Sequence, residues 1–268
     1  MRLHIAHSTV YRYNPPANGA IQLLRLTPRN HDSQYVMRWR IYVSPDSRLA
    51  AGEDAFGNIM HVFSAAGPFG EMRVEVDGEI ETQNTNGIVR GTVERFPPNL
   101  FLRETELTQT DAAIRDLAED VGTASGGATL DVLHALMHRL HDAMVYDTSL
   151  TDTPMSAVEA FACKRGVCRD LTHIFIAAAR RLAIPARYVA GYLQLTDSDT
   201  GQEAGHAWAE AFVPELGWLG FDPANALCPT EAYVRVAVGL DSLGAAPVRG
   251  TRYGIGAERM EVAIQVDQ

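Results

Sequence analysis

Cys168 has the most suggestive setting of any nucleophilic side chain in the sequence. It lies in Arg165-Gly166-Val167-Cys168-Arg169-Asp170 and opens a run with helical period, in which Leu171, Ile174, Phe175, Ala178 and Leu182 share one face. A helix N-terminus offers free N–H groups and a partial positive charge. These favour a thiolate over a thiol and can receive the oxyanion of a tetrahedral intermediate. Taken alone, such a cysteine also reads as a small buried apolar residue.

A nucleophilic thiol needs a base, and His206 is the candidate. In Gly205-His206-Ala207-Trp208-Ala209-Glu210-Ala211-Phe212, one strand face carries His206, Trp208, Glu210 and Phe212 while the other is alanine. An alanine-lined face lets another element pack closely, and the helix beginning at Cys168 is the expected one. Asp222, in Gly220-Phe221-Asp222-Pro223, ends the next strand, where a short hairpin would set it beside His206. A carboxylate there fixes the imidazole tautomer and stabilises the imidazolium. Cys, His and Asp in this order, one on a helix N-terminus and two on adjacent strands, form a thiol-nucleophile constellation.

Other candidates point to structure more than to chemistry. Cys163 lies five residues before Cys168, a spacing that fits neither a zinc hairpin nor a thioredoxin-like pair. It is expected to cap the preceding helix as a core residue, and Cys228 is likewise expected to be structural. Asp170 suits the helix dipole, but its charge disfavours a thiolate close by, so it should point away from Cys168 or pair with an arginine. Tyr146 either donates to the oxyanion or packs in the core. Gly254-Ile255-Gly256-Ala257 has no following helix and is not a phosphate loop. Among the other histidines, His4, His7, His31, His61 and His173 share no metal spacing. His134, His138 and His141 follow one helix and read as a solvated face.

The elements that must position these residues change character near residue 100. Before it, alternating segments such as Leu3-Ile5-His7-Thr9 and Tyr35 to Val43 are separated by Pro, Gly and Asn, as in an antiparallel sandwich. After Pro97-Pro98 the period becomes helical. Thr110-Asp111 can cap one helix, Thr129-Leu130-Asp131 opens a second, Thr153-Pro154 a third and Cys168 a fourth. Strands then return at Arg187 to Leu195, His206 to Val213, Gly217 to Asp222, Tyr233 to Val238 and Met260 to Val266. The expected fold is α+β, with a β-rich domain over 1–98 and a catalytic domain over 99–268.

The chain has a net charge of −10, which argues against a nucleic-acid partner. No apolar run is long enough to span a membrane, and the polar start lacks the pattern of a signal peptide. A cytoplasmic location is therefore expected. Three cysteines, an odd and sparse count, argue against a disulfide framework. Lys164 is the only lysine among 23 basic residues, a bias that codon usage explains. A scarcity of amines would also spare a thioester intermediate from interception.

Gly166-Val167-Cys168-x-Asp170, Gly191-Tyr192, His206-Ala207-Trp208, Gly217-Trp218 and Phe221-Asp222-Pro223 occur in an order that resembles the transglutaminase-like superfamily. Within it, the chain is similar to bacterial members described as cysteine proteases, and the β-rich leader resembles their N-terminal region. The resemblance implies a papain-like core with a catalytic triad: Cys168 as nucleophile, His206 as general base and then acid, and Asp222 as orienter. It implies a thiol hydrolase, a cysteine peptidase or amidase, acting on a peptide or amide substrate without cofactor or metal. Amine transfer to protein glutamine and a non-catalytic binding module are the alternatives. Family analogy adds a functional link to amide-ligase-like proteins. Arg169 departs from the uncharged polar residue common among relatives; it can support a thiolate, bind an acidic substrate group or simply face solvent. The segment Thr196 to Ala204, just before His206, is expected to form a mobile rim of the cleft.

Overall fold

Strict alternation of buried and exposed side chains from Arg2 onward builds β1 (Arg2–Thr27), a 26-residue strand. It runs antiparallel to β4 (Ile59–Thr82) along most of its length. Between them in sequence come β2 (Gln34–Ser44) and β3 (Ala50–Glu53), which pair with opposite halves of β4. This computed structural model describes residues 1–150, 155–195 and 205–268. The register of β1 on β4 shifts between Arg12 and Ala17, where the strand bends. Where the sequence suggested a sandwich, the structure has one continuous antiparallel sheet. Side chains from both halves, including Tyr11, Met72 and Val74 from one and Leu24, Leu26 and Phe63 from the other, close a shared core. Trp39 joins them by donating its indole N–H to the Leu26 carbonyl at 2.9 Å.

The second half of the chain opens with β5 (Ile88–Val89) and then four helices: α1 (Ala112–Ala124), α2 (Thr129–Ala143), α3 (Ala157–Cys163) and α4 (Cys168–Arg181). Asp111 caps α1 by accepting from the Ile114 N–H at 2.9 Å, as its position predicts. Thr153-Pro154, expected to open α3, lies outside the described residues; Ser156 and Glu159 form a capping box at the start of that helix. Two short parallel strands, β6 (Val145–Tyr146) and β7 (Arg165–Gly166), flank α3. Four further strands, β8 (Ala186–Leu193), β9 (Gly205–Val213), β10 (Gly217–Phe221) and β11 (Tyr233–Gly239), form an antiparallel sheet in the order β11-β8-β9-β10-β5. Ala207, Ala209 and Ala211 of β9 share a core with Ile174, Ala177 and Ala178 of α4, so the alanine face does receive the helix that begins at Cys168.

The chain crosses the expected boundary at 98/99 in both directions. β5 pairs with β10, whereas β12 (Val248–Tyr253) and β13 (Ala257–Asp267) return to pair with β1. The returning strands cover what would otherwise be an open edge of β1. Leu3, Ile5 and Ile80 belong to the same buried cluster as the helices. Among the described residues, no helix is long and apolar enough to cross a membrane.

Two buried amides join the halves. The outer edge of β11 has no strand beside it among the described residues. Instead Gln34 accepts from the Arg235 N–H at 2.8 Å and donates to the Arg235 carbonyl at 2.9 Å. Asn58 does the same at Val238, with both bonds at 2.8 Å. Each side chain imitates a strand neighbour and satisfies backbone groups that water does not reach. Arg180 at the end of α4 works in a similar way, donating to the carbonyls of Phe101, Ala186 and Leu240 and to Thr108 Oγ1. Burial lowers its pKa to about 10, which leaves it charged at neutral pH.

Replacing Asn58 with Leu strips two buried backbone groups of their partner and should cost about 1–3 kcal/mol for each group left unpaired. Chemical denaturation should show a lower midpoint. An unchanged midpoint would mean that the amide does not hold β11.

Candidate active site

Gly166 comes before the nucleophile helix because nothing larger fits: a Cβ there would lie 2.8 Å from the Asp170 Cβ. Asp170 is fully buried at the start of α4, and its carboxylate accepts from the Val167 N–H at 3.0 Å and from Arg169 Nε at 3.0 Å. Its charge is therefore spent on the helix start and on an arginine, as the sequence suggested. Cys168, the first residue of α4, stays partly exposed.

His206 arrives from β9. Its strand lies between β8 and β10, with Gly191 opposite His206 and Phe221 opposite Ala209. Gly191 is also constrained, since a Cβ would lie 2.7 Å from the Trp208 ring and closer still to the Val234 carbonyl. One step past Phe221, Asp222 meets His206 with Oδ2 at 2.6 Å from Nε2. The two side chains retain 1% and 0% of their exposure.

So dry a carboxylate needs several donors. Asp222 Oδ2 also accepts from the Tyr233 hydroxyl at 2.7 Å and from Asn225 Nδ2 at 2.8 Å, and Oδ1 accepts from the Ala224 N–H at 2.9 Å. Burial by itself would raise the carboxyl pKa, but the charge of His206 and these hydrogen bonds hold it below the usual value. Burial likewise pushes the imidazole down. The charges of Asp222 and Cys168 outweigh it and raise His206 to about 10. Cys168 is thus an immediate electrostatic neighbour of the ring. The remaining nitrogen, Nδ1, is buried and has no hydrogen-bond partner of regular geometry. Trp208 lies nearly parallel to the imidazole at 6.4 Å, and Tyr233 meets it edge-on at 5.8 Å.

Tyr146 reaches the site because β6 pairs with β7, opposite Gly166. Burial first, then the charge of Cys168, holds its hydroxyl protonated, while the Cys168 N–H acts on the same oxygen. The phenol hydroxyl therefore lies at the N-terminus of α4, beside Cys168.

A cavity of about 300 Å³ opens beside Cys168 and His206. Tyr188, Gly191 and Tyr192 of β8 form one wall, and the N-terminal sheet contributes His7, Arg25 and Leu26. A larger, shallow depression of about 440 Å³ on that sheet, lined by Tyr42, Glu75 and Asp77 among others, holds no cysteine. It is a poorer site for thiol chemistry.

The other sequence candidates lie elsewhere. Cys163 is exposed, contrary to the core role expected of it. The inward positions of the short α3 are Ala157, Ala160 and Phe161, and Cys163 falls on the opposite face before the left-handed Lys164 ends the helix. Cys228 is half-buried against Gly87, where an added Cβ would lie 2.8 Å from its own. His134 packs edge-on against Phe221, and His141 Nδ1 lies 3.1 Å from the Ala224 carbonyl. Among the described residues, no group of three or more His, Cys, Asp or Glu could hold a metal. The 196–204 rim lies outside them.

Tyr233, Asn225, His7 and Arg25 were not anticipated. Asn225, three residues after Asp222, was the one with a local signal, as a polar side chain in the turn after Pro223. Tyr233 arrives only through the pairing of β11 with β8, and His7 and Arg25 only through packing of the N-terminal sheet.

Residues 3–81 match the family model described as the bacterial transglutaminase-like N-terminal region, and residues 115–223 match that of the transglutaminase-like superfamily. The chain is 28% identical to an uncharacterised protein of Mycobacterium leprae, with 99% of this chain and 98% of that one covered. It is 30% identical over 151 residues to a protein-glutamine gamma-glutamyltransferase of Pseudomonas aeruginosa, which is 52% of this chain and 23% of that protein. A solved structure from Cytophaga hutchinsonii, described as a "putative cysteine protease", has a TM-score of 0.76. It covers 100% of this chain and 90% of that one at 19% identity, so it shows a common fold. With an N-terminal segment and a core segment matched in this order, the chain belongs to the transglutaminase-like superfamily in its bacterial form.

Proposed function

We propose that the protein is a thiol-dependent acyl-transfer enzyme acting on amide or peptide carbonyls, with Cys168 as nucleophile, His206 as base and acid, and Asp222 as its orienter. The reading rests above all on the buried His206–Asp222 pair at 2.6 Å beside a cysteine that opens a helix. Superfamily membership supports thiol chemistry in general.

In this mechanism, the Cys168 thiolate attacks the carbonyl carbon. The oxyanion forms between the Cys168 N–H and Tyr146. The imidazolium of His206 gives its proton to the departing nitrogen, the C–N bond breaks, and an amine leaves behind a thioester. Water then attacks the thioester, His206 takes its proton, and the carboxylic acid departs as the thiolate re-forms. Hydrolysis is the reading we favour. An amine in place of water gives transamidation, a second reading supported by the partial similarity to the Pseudomonas glutamyltransferase. Incorporation of a fluorescent primary amine into a glutamine-bearing protein, without release of free acid, would favour the second.

Iodoacetamide at neutral pH should label Cys168 at least tenfold faster than Cys163 or Cys228, because an activated thiolate reacts faster than ordinary thiols. Peptide mapping by mass spectrometry measures the three rates. Equal rates would count heavily against the reading. Cys168→Ala should abolish turnover and leave the melting temperature nearly unchanged.

The raised His206 pKa sets a pH window. Relative to an unperturbed value near 6.5, the imidazolium's stabilising contribution is complete below that pH and is lost as pH rises toward about 10. Asp222→Asn removes the charge that raises it. The alkaline limb of Cys168 labelling should then move to lower pH, and turnover should fall on the order of 10²–10⁴-fold. An alkaline limb that stays in place would show that Asp222 does not act through the imidazole.

A further inference from the structure

The cavity beside Cys168 carries positive charge inside a protein whose net charge is −10. Arg25 and Arg169 line it, and no Asp or Glu does among the described residues. Arg169 is tied to Asp170 on the nucleophile helix. Arg25 comes from the N-terminal sheet, and its side chain keeps 13% of its exposure. Its backbone N–H donates to the Pro247 carbonyl at 2.8 Å, which joins it to another cavity-lining residue.

Arg25 Nε donates to Asp54 Oδ2 at 2.7 Å. That carboxylate also accepts from the N–H groups of Phe56 and Asn58 and from Asn58 Nδ2, at 2.8–3.0 Å, so its accepting capacity is largely used. A planar guanidinium already fixed at Nε and lining the cavity has little rotamer freedom left to lose on binding a carboxylate.

Resting on the acyl-transfer reading above, we propose that Arg25 is the anion-binding residue of this cavity and that the substrate carries a carboxylate close to the scissile carbonyl. Arg25 and Cys168 line the same cavity of about 300 Å³, so the carboxylate and the reacting carbonyl would share one cleft. An acidic side chain and a free α-carboxylate both meet this requirement.

The test compares two alkylating probes that differ in charge, iodoacetate and iodoacetamide, at Cys168. The ratio of the two rates in the native protein should exceed the ratio at the same residue in the urea-unfolded chain. Arg25→Gln should lower the native ratio by about tenfold, as expected when a nearby opposite charge is lost. Arg25→Met, which keeps the aliphatic stem and its packing, is the second variant should the first fail to fold. A native ratio no higher than the unfolded one, or a ratio unchanged by removing the charge, overturns the proposal while leaving the triad standing. Failure of iodoacetamide itself to react preferentially at Cys168 strikes the underlying catalytic reading instead. Acyl-adduct formation from a γ-glutamyl thioester and from an aspartyl-bearing peptide thioester then separates the two carboxylate sources. Both reacting no faster than an uncharged analogue also overturns the proposal.

Discussion

A carboxylate excluded from water must have its lone pairs satisfied by the protein, and much of the second half of this molecule is arranged to do that for Asp222. Its four partners come from three places: His206 on β9, Ala224 and Asn225 in the turn after β10, and Tyr233 at the start of β11. Bringing them together requires the β9–β10 hairpin in one register and β11 on the far side of β8. A slip of one residue would turn His206 to the alanine face and put a charged ring into the packing against α4. The buried pair therefore constrains the sheet as strongly as the sheet positions the pair.

A second buried charge system supports that register. Arg187 on β8 donates to Glu210 on β9 at 2.7 Å, and Arg235 on β11 donates to the same carboxylate at 2.7 Å. Arg187 also grips Glu94 with both terminal nitrogens, and its guanidinium stacks 3.9 Å above the Trp218 ring. Burial would raise the Glu210 carboxyl, but the two arginines bring it down to about 2. Buried ion networks are poor sources of net stability because desolvation offsets the attraction. What this one supplies is alignment: three strands are joined through one carboxylate four residues beyond His206. Loss of Arg235 would leave Arg187 to balance two carboxylates, Glu94 and Glu210, close to His206.

The N-terminal sheet is part of the same construction. Gln34 and Asn58 complete the hydrogen bonding of β11, and His7 meets the Tyr192 hydroxyl at 2.9 Å. Burial lowers the His7 pKa to about 4, so it stands neutral at the cavity wall. The cavity next to Cys168 is shared between the two sheets. β13 returning to β1 after the catalytic sheet is complete ties the ends of the chain to that arrangement.

Much of the site was legible in the sequence because its signals are local. A glycine before a helix-opening cysteine, a histidine on an alanine-backed strand and an aspartate at the end of the next strand each depend on a few neighbouring residues. The alternation that makes β1 and the periods that make α1, α2 and α4 are local in the same sense. Cys163 misled because its helix is only seven residues long, too short for periodicity to tell its inner face from its outer one. Tyr233, His7 and Arg25 had no local signal at all. Their roles arise from contacts across 11 to 185 residues of sequence separation or from a shared cavity wall. Strand register and the packing of one sheet on another determine such contacts. The sequence by itself thus singled out one thiol, one imidazole and one carboxylate as candidates, since backbone geometry over a few residues prepares them. Only the tertiary structure decided how His206 and Asp222 are kept dry and charged beside a partly exposed Cys168, because burial and hydrogen-bond satisfaction belong to the packed whole.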